Sequence, residues 1–297
     1  MSVEIPFVKD FEFEYGDVAS VRPNVRRVIC RNPGAFTFTG TGTYILGSGE
    51  VAVIDPGPLD TSHLNAILQA LKGESITHIL ITHTHMDHSP LARELQKHCD
   101  AKTYGFGPHG SRLDDPVKVE EGGDQAFQPD VTVRHGDVIE GKNWQVECVH
   151  TPGHTSNHIC YQLAQTNSLF SGDHVMGWST SVISPPDGNM GDYMRSLNLL
   201  LDREDQEYWP THGTVIDSPK AHVQAFIAHR QEREDQILAQ VKRGNHEISA
   251  MVPDMYRAVG SHLWPAASRS VFAAVLHLVE QGKLRCDGEP SISSAYY

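Results

Sequence analysis

From Asn24 onward the chain alternates short apolar runs with polar turns. The runs at 25–30, 43–46 and 51–54 are rich in β-branched residues, and Gly47-Ser48-Gly49 between the last two has the composition of a hairpin turn, so an antiparallel start is expected. Leu64, Ile67, Leu68 and Leu71 recur at helical spacing, which predicts a helix over 62–71, capped by Asp60 or Thr61 and stopped at Gly73. A buried strand over 76–82 then runs into His83-Thr84-His85-Met86-Asp87-His88. Ser89 and Pro90 follow as an N-cap and first helical position for a helix over 91–97, which places the histidines in a strand-to-helix loop. Residues 108–140 are rich in Gly, Asp, Glu and Pro with weak periodicity and read as a surface insertion or meander over the site.

Strands return at 144–149, 159–163 and 168–170. The first and third empty into polar loops, Thr151-Pro152-Gly153-His154-Thr155 and Gly172-Asp173-His174. A helix over 192–201 and a short strand at 208–209 lead to Pro210-Thr211-His212-Gly213. Ser218-Pro219 opens a long helix to about residue 243, with further helices near 249–259 and 266–281. Gly282-Lys283-Leu284-Arg285 after the last, amphipathic helix gives the order of a small winged-helix module. With 297 residues, the natural division is a main domain over 1–218 and a connecting helix with a winged-helix-like domain over 219–297.

Composition narrows the class. Hydrophobic residues at 39% and charged residues at 21% fit a soluble globular protein and exclude disordered, collagen-like and coiled-coil chains. No apolar run approaches the roughly eighteen residues of a membrane span, and Glu4, Lys9 and Asp10 leave no signal-peptide core, so a cytoplasmic protein with no membrane association is expected. Cys30, Cys99, Cys148, Cys160 and Cys286 form an odd set without a CxxC pair, which argues for free thiols rather than disulfides or a thiolate zinc knuckle. Net charge is −13, and because residues 219–297 hold nine Lys/Arg and eight Asp/Glu, the acidity belongs to residues 1–218, at −14. Such a surface repels polyanions.

Histidine is the anomaly, at 18 residues, and clustered imidazoles are a usual ligand set for zinc, iron or copper. Polar residues recur just after apolar strands at 83–88, 154, 173 and 212, where sheet-based folds gather side chains into one crevice. His83 and His85, two apart in an extended loop, can reach one metal from the same side, and His154 supplies a third nitrogen, leaving an open position as catalytic zinc requires. Asp87, His88 and His212 can hold a second ion, with Asp173 as a carboxylate bridging the two. All these donors are imidazole or hard carboxylate.

Thr82-His83-Thr84-His85-Met86-Asp87-His88-Ser89, Thr151-Pro152-Gly153-His154-Thr155, Ser171-Gly172-Asp173 and Pro210-Thr211-His212-Gly213 resemble the successive motifs of the metallo-β-lactamase superfamily. The resemblance implies an α+β fold, a four-layer αβ/βα sandwich. It implies His83, His85 and His154 on one metal, Asp87, His88 and His212 on the other, Asp173 bridging, and Asp55 of Ile54-Asp55-Pro56-Gly57 as an acid that supports a ligand imidazole. Asp173 stands where the main dinuclear β-lactamases place a cysteine, which moves the chain away from antibiotic hydrolysis and toward the hydrolase and nuclease branches. His229-Arg230-Gln231-Glu232-Arg233-Glu234 and the terminal helices resemble the β-lactamase-like subgroup with a C-terminal winged helix, which includes a mitochondrial endoribonuclease; glyoxalase II is a more distant likeness. The segments 108–133 and 179–189 depart from the family pattern.

The expected chemistry is hydrolysis by a hydroxide shared between two divalent ions, zinc first, with iron or manganese also suited to the donors. Asp87 and Asp173 are the catalytic candidates. The acidic main domain favours a small ester, thioester or lactone. The winged helix and dinuclear site leave a single-strand-specific endoribonuclease, with RNA as partner, as the alternative. An iron redox enzyme or a non-catalytic binding module is a third class; no flavin domain is evident and no ligand is missing. The resemblance also leaves a homodimer open. Trp178, Tyr193 and Trp209 lie near the ligand loops as candidate substrate contacts, Tyr161 and Phe170 are assigned to core, and His109, His135, His158 and His174 have undecided roles near the site.

Overall fold

The computed structural model describes residues 3–110, 122–257 and 260–297. It holds two mixed sheets packed face to face. The first is built, in spatial and chain order, from β1 (Val18–Arg22), β2 (Val25–Ile29), β3 (Gly42–Leu46), β4 (Glu50–Ile54), β5 (Ser75–Leu80), β6 (Lys102–Gly105) and β7 (Val131–Thr132). The second runs β12 (Glu207–Pro210), β11 (Ser168–Gly172), β10 (Ile159–Leu163), β9 (Gln145–His150) and β8 (Val138–Glu140). Helices α1 (Thr61–Ala70) and α2 (Ala92–Gln96) cover the outer face of the first sheet. Helices α3 (Met190–Leu201) and α4 (Pro219–Lys242) cover the outer face of the second. This is the four-layer αβ/βα sandwich.

The central strands are apolar on both faces because both faces are buried. In β3 and β4, Tyr44, Leu46, Ala52 and Ile54 point to the second sheet, while Ile45, Val51 and Val53 pack under α1 and α2. The β3–β4 hairpin is antiparallel, and its turn takes positive φ at Gly47 and Gly49, which only glycine adopts without strain. Asp60 caps α1, its carboxylate accepting from the His63 backbone N–H at 2.8 Å. Two tyrosines bridge the sheets at the strand ends. Tyr161 on β10 donates its hydroxyl to the Ile81 carbonyl at 2.8 Å, and Tyr44 on β3 donates to the Pro210 carbonyl at 2.7 Å. Ile81 and Pro210 lie two residues before His83 and His212, so these bonds set where the loops bearing those histidines begin.

Several local expectations are corrected. The helix after the histidine loop starts at Ala92 with no side-chain cap, because Ser89 Oγ donates instead to Asp124 Oδ2 at 3.0 Å. Within 108–140, residues 111–121 lie outside the described residues, and the rest is not merely surface: Phe127, Val133 and Ile139 are buried in the core. β1 and β6 were not signalled by the pattern; β1 is mostly exposed and β6 is short. Tyr193 and Trp209 are core, whereas Trp178 reaches the cleft described below.

The long helix α4 belongs to two cores. Val223 and Phe226 pack with Tyr193, Leu197 and Tyr208 against the second sheet, while Ile237 packs with α5 (Ile248–Met255) and α6 (Trp264–Glu280). Tyr296 returns to close this terminal cluster, its backbone N–H donating to the His246 carbonyl at 2.8 Å. The expected helix to residue 259 ends at Met255, and residues 258–259 lie outside the described residues. Among the described residues no helix is long and apolar enough to cross a membrane.

Replacing Tyr161 by Phe leaves the buried Ile81 carbonyl without its hydroxyl donor. A loss of about 1–3 kcal/mol of stability is expected, read as a lowered urea midpoint with unchanged slope.

Candidate metal centre

Five strand ends converge at one rim of the sandwich. Asp55 follows β4, the 83–88 loop follows β5, His154 follows β9, Asp173 follows β11 and His212 follows β12. Backbone bonds lock the loops to one another: Ile159 N–H donates to Thr82 O at 2.8 Å, Gly57 to His88 O at 2.9 Å, and Gly42 to Thr211 O at 2.8 Å. Gly153, at φ +144°, lies against Tyr193, and any Cβ there would come within 2.4 Å of the Tyr193 backbone. The Pro-Gly turn that aims His154 therefore admits no side chain.

The structure brings together all seven residues expected from the sequence. His83, His85 and His154 form one group, Asp87, His88 and His212 another, and His83, His88 and Asp173 a third, each with donor atoms mutually within 4.8 Å and all buried. His85 Nδ1 lies 3.2 Å from His83 Nε2 and 3.1 Å from His154 Nε2. His212 Nε2 lies 3.1 Å from Asp87 Oδ2, and His88 Nε2 lies 3.3 Å from the same oxygen. Asp173 Oδ2 sits between the two sets, 3.4 Å from His212, 3.6 Å from His88 and 3.9 Å from His154. Donors at 2.0–2.1 Å around a tetrahedral ion are about 3.3 Å apart, and the spacings of 3.1–3.4 Å within the cluster match that separation. His88 Nε2, His212 Nε2 and Asp173 Oδ1 are buried without a hydrogen-bond partner, and their donor set suits metal ions.

The opposite ring nitrogens are held. His88 Nδ1 lies 3.0 Å from Asp55 Oδ2, His154 Nδ1 donates to Val182 O at 2.6 Å, and His212 Nδ1 donates to Gly40 O at 3.1 Å. Thr82 Oγ1 donates to Asp55 Oδ2 at 2.6 Å, which leaves its lone pair for His83 Nδ1 at 3.1 Å. In the neutral ring, each of these bonds selects the tautomer whose Nε2 lone pair faces the cluster. Asp55 is fully buried, adopts a positive φ of 46° before Pro56, and also accepts from Thr82 N–H at 2.8 Å and Thr211 Oγ1 at 3.2 Å.

The two sides of the cluster differ electrically. Burial, followed by neighbouring imidazoles, holds His83 and His85 well below the usual histidine range, and burial lowers His154, so these three are neutral. Burial opposes charge on His88 and His212 as well, but the Asp87 and Asp173 carboxylates outweigh it and raise both. Reciprocally, burial opposes charge on Asp87 and Asp173, and the same imidazoles overcome it and keep both carboxyls below the ordinary range. Burial pushes the Cys30, Cys148 and Cys160 thiols up to about 12, so none offers a thiolate.

Other histidines take distinct places. His158 is buried beside His83, its Nε2 accepting the Asp173 backbone N–H at 3.2 Å and its Nδ1 2.9 Å from Thr151 Oγ1. His174 is buried against the Tyr193 ring, and His109 Nδ1 lies 2.9 Å from Thr84 Oγ1. His135 is exposed. Sequence reasoning missed the Val182 and Gly40 carbonyls, since a backbone acceptor has no residue signature.

A small cleft of about 40 Å³ opens over the cluster. His85, Asp87, His154 and Asp173 form its floor, and Phe36, Met176, Trp178 and Val182 with Ser179 and Thr180 form its walls. Trp178 stacks on Phe38 with ring centroids 4.7 Å apart.

The metallo-beta-lactamase superfamily profile matches residues 37–212, and that of the beta-lactamase associated winged helix domain matches residues 248–291. The chain is 36% identical over 282 residues to the Beta-lactamase-like protein 2 homolog of Drosophila melanogaster, covering 90% of this chain and 92% of that one. It is 29% identical over 238 residues to an atrochrysone carboxyl ACP thioesterase of Claviceps purpurea, covering 77% and 69%. The fold of a metallo-beta-lactamase family protein from Thermus thermophilus superposes with a TM-score of 0.76 at 20% identity, over 94% of this chain and 99% of that one. With the folded His/Asp cluster for divalent metals, these findings establish that the chain belongs to the metallo-beta-lactamase superfamily, as a hydrolase with the C-terminal winged helix domain.

Proposed function

We propose that the chain is a zinc-dependent hydrolase of small acyl thioesters. His83, His85 and His154 would hold one ion and Asp87, His88 and His212 the other, with the Asp173 carboxylate placed between the two sets of donors. Zinc suits this donor set of imidazoles and carboxylates. Residues 1–218 carry the chemistry, and residues 219–297 support it from behind.

The observation that carries the substrate reading is the lining of the cleft. Its walls are neutral and largely apolar, and among the described residues no Lys or Arg lines it. Beside a net −14 over residues 1–218, such a cleft fits an acyl chain better than a phosphodiester backbone. The Claviceps purpurea relative, named as a thioesterase, supports the same class.

When bound, two divalent ions supply a Lewis acid for the scissile carbonyl and a water acidic enough to attack near neutral pH. The protein does the rest. Phe36, Met176 and Val182 enclose the acyl group and exclude solvent. Asp87, which opens onto the cleft, orients the attacking water and accepts its proton for later delivery to the leaving thiolate. Asp173 holds the two halves of the cluster in register, and Asp55 fixes the His88 ring by accepting from Nδ1.

Zinc-loaded protein and its Asp173→Asn variant, assayed side by side on an acyl-CoA thioester and on a fluorescent single-stranded RNA, separate the readings. Thioester turnover is expected, with kcat at least about 100-fold lower in the variant. RNA cleavage with the thioester untouched overturns the substrate class, and a fully active variant with two bound metals overturns the role of Asp173. Asp55→Asn keeps the volume but not the charge at the His88 ring. It should weaken metal binding by about 10–100-fold, measured in competition with a chromogenic chelator.

A further inference from the structure

Several side chains of residues 219–297 reach the segments beside the metal centre: His222 Nε2 lies 3.1 Å from the Met176 carbonyl, Arg269 donates to the Pro185 carbonyl, and Arg230 reaches nearest to a histidine of the cluster. Arg230 lies on α4, is 6% exposed, and donates through Nη2 to the Ser181 carbonyl. Its guanidinium stands 5.1 Å from the centroid of the Tyr193 ring on α3, a cation–π spacing. Among the described residues it forms no ion pair, and its Nε is buried without a partner. A buried cation without a counter-charge is costly, so a packing role alone is poorly served by arginine.

What Arg230 holds has no other backbone support. Residues 180–189 contain neither helix nor strand, and among the described residues the carbonyls of Ser181 and Val182 accept from no backbone N–H. Ser181 O takes Arg230, and the next carbonyl, Val182 O, takes His154 Nδ1 at 2.6 Å. Ser181 is pinned again by its own hydroxyl, which donates to His174 O at 2.8 Å, an oxygen that also accepts the Tyr193 hydroxyl at 2.9 Å. The guanidinium's acceptor is thus one residue away from the carbonyl that orients His154, and the residue bearing that carbonyl, Val182, forms part of the cleft wall.

We infer that Arg230 is a positioning residue of the metal centre: by fixing the Ser181 carbonyl it sets the Val182 carbonyl, and through it the tautomer and tilt of the His154 ring. The inference rests on the assignment of His154 as a ligand. It gives the C-terminal helices a part in the chemistry without any contact with substrate.

Cobalt(II) titration of the metal-free full chain tests it, read by visible absorption. Arg230→Met keeps the apolar stem and the packing but removes the donors. The first cobalt equivalent should bind about 10–100-fold more weakly, with an altered visible spectrum, and Arg230→Lys should bring the affinity back to within about tenfold of the wild type. Wild-type affinity and spectrum in Arg230→Met overturn the inference. A wild-type chain that binds no cobalt overturns the ligand assignment instead, so the two failures are distinguishable. If Arg230→Met does not fold, the wild type and Arg230→Lys are compared by the Nδ1 proton resonance of His154, whose identity His154→Gln establishes. The lysine, lacking the planar fork, should shift that resonance, and an unmoved resonance overturns the inference.

Discussion

The Asp55 carboxylate is the joint on which the centre depends. It is buried, and it accepts from Thr82 through both backbone and hydroxyl, from His88 Nδ1 and from Thr211 Oγ1. Those donors sit on loops that follow β5 and β12, strands of different sheets, while Asp55 itself ends β4. A carboxylate out of water is tolerable only when its lone pairs are filled, so satisfying Asp55 forces the loops together. The positive φ at Asp55, between β4 and Pro56, turns the side chain inward to receive them. The imidazoles and carboxylates of the cluster are thus aligned by hydrogen bonds within the protein itself.

Much of this was legible in the sequence because function and fold use the same punctuation. The apolar strand 76–82 must end somewhere, and the polar run from His83 to His88 marks both its end and the chemistry. The motif around His154 was readable for the same reason, since Gly153 is required both for the turn and for the close approach of Tyr193. Legibility failed where long-range partners decide. Ser89 has the look of a helix cap, but Asp124, 35 residues away, captures its hydroxyl. Phe127, Val133 and Ile139 are buried inside a stretch whose composition resembles surface, because their spacing follows neither a helical nor an alternating period. His158 could not be told from the other histidines until its ring was seen accepting the Asp173 N–H. Trp178 and Tyr193 look alike in sequence as neighbours of ligand loops, yet one meets the cleft and the other the core.

The two halves of the cluster are prepared in opposite ways. On the His83, His85 and His154 side, desolvation strips charge from the rings and leaves bare lone pairs. On the His88 and His212 side, Asp87 and Asp173 compensate the rings, so charge there is balanced within the protein. Such a division lets a buried group of polar side chains exist at all, because each donor has either shed its charge or found its opposite.

Since all the chemistry gathers at one rim of the sandwich, the other rim is left unencumbered. The Gly47-Ser48-Gly49 hairpin and the turn from Ala164 to Asn167 between β10 and β11 lie there, at the strand ends opposite those that lead to Asp55 and Asp173. These turns answer to backbone conformation and packing, as at Gly47 beside Trp144, and not to the reaction, whereas the opposite rim must also hold its polar side chains at set spacings. The architecture therefore separates the purely structural constraint from the chemical one along the strand axis, so that a change at the turn rim leaves the cluster undisturbed.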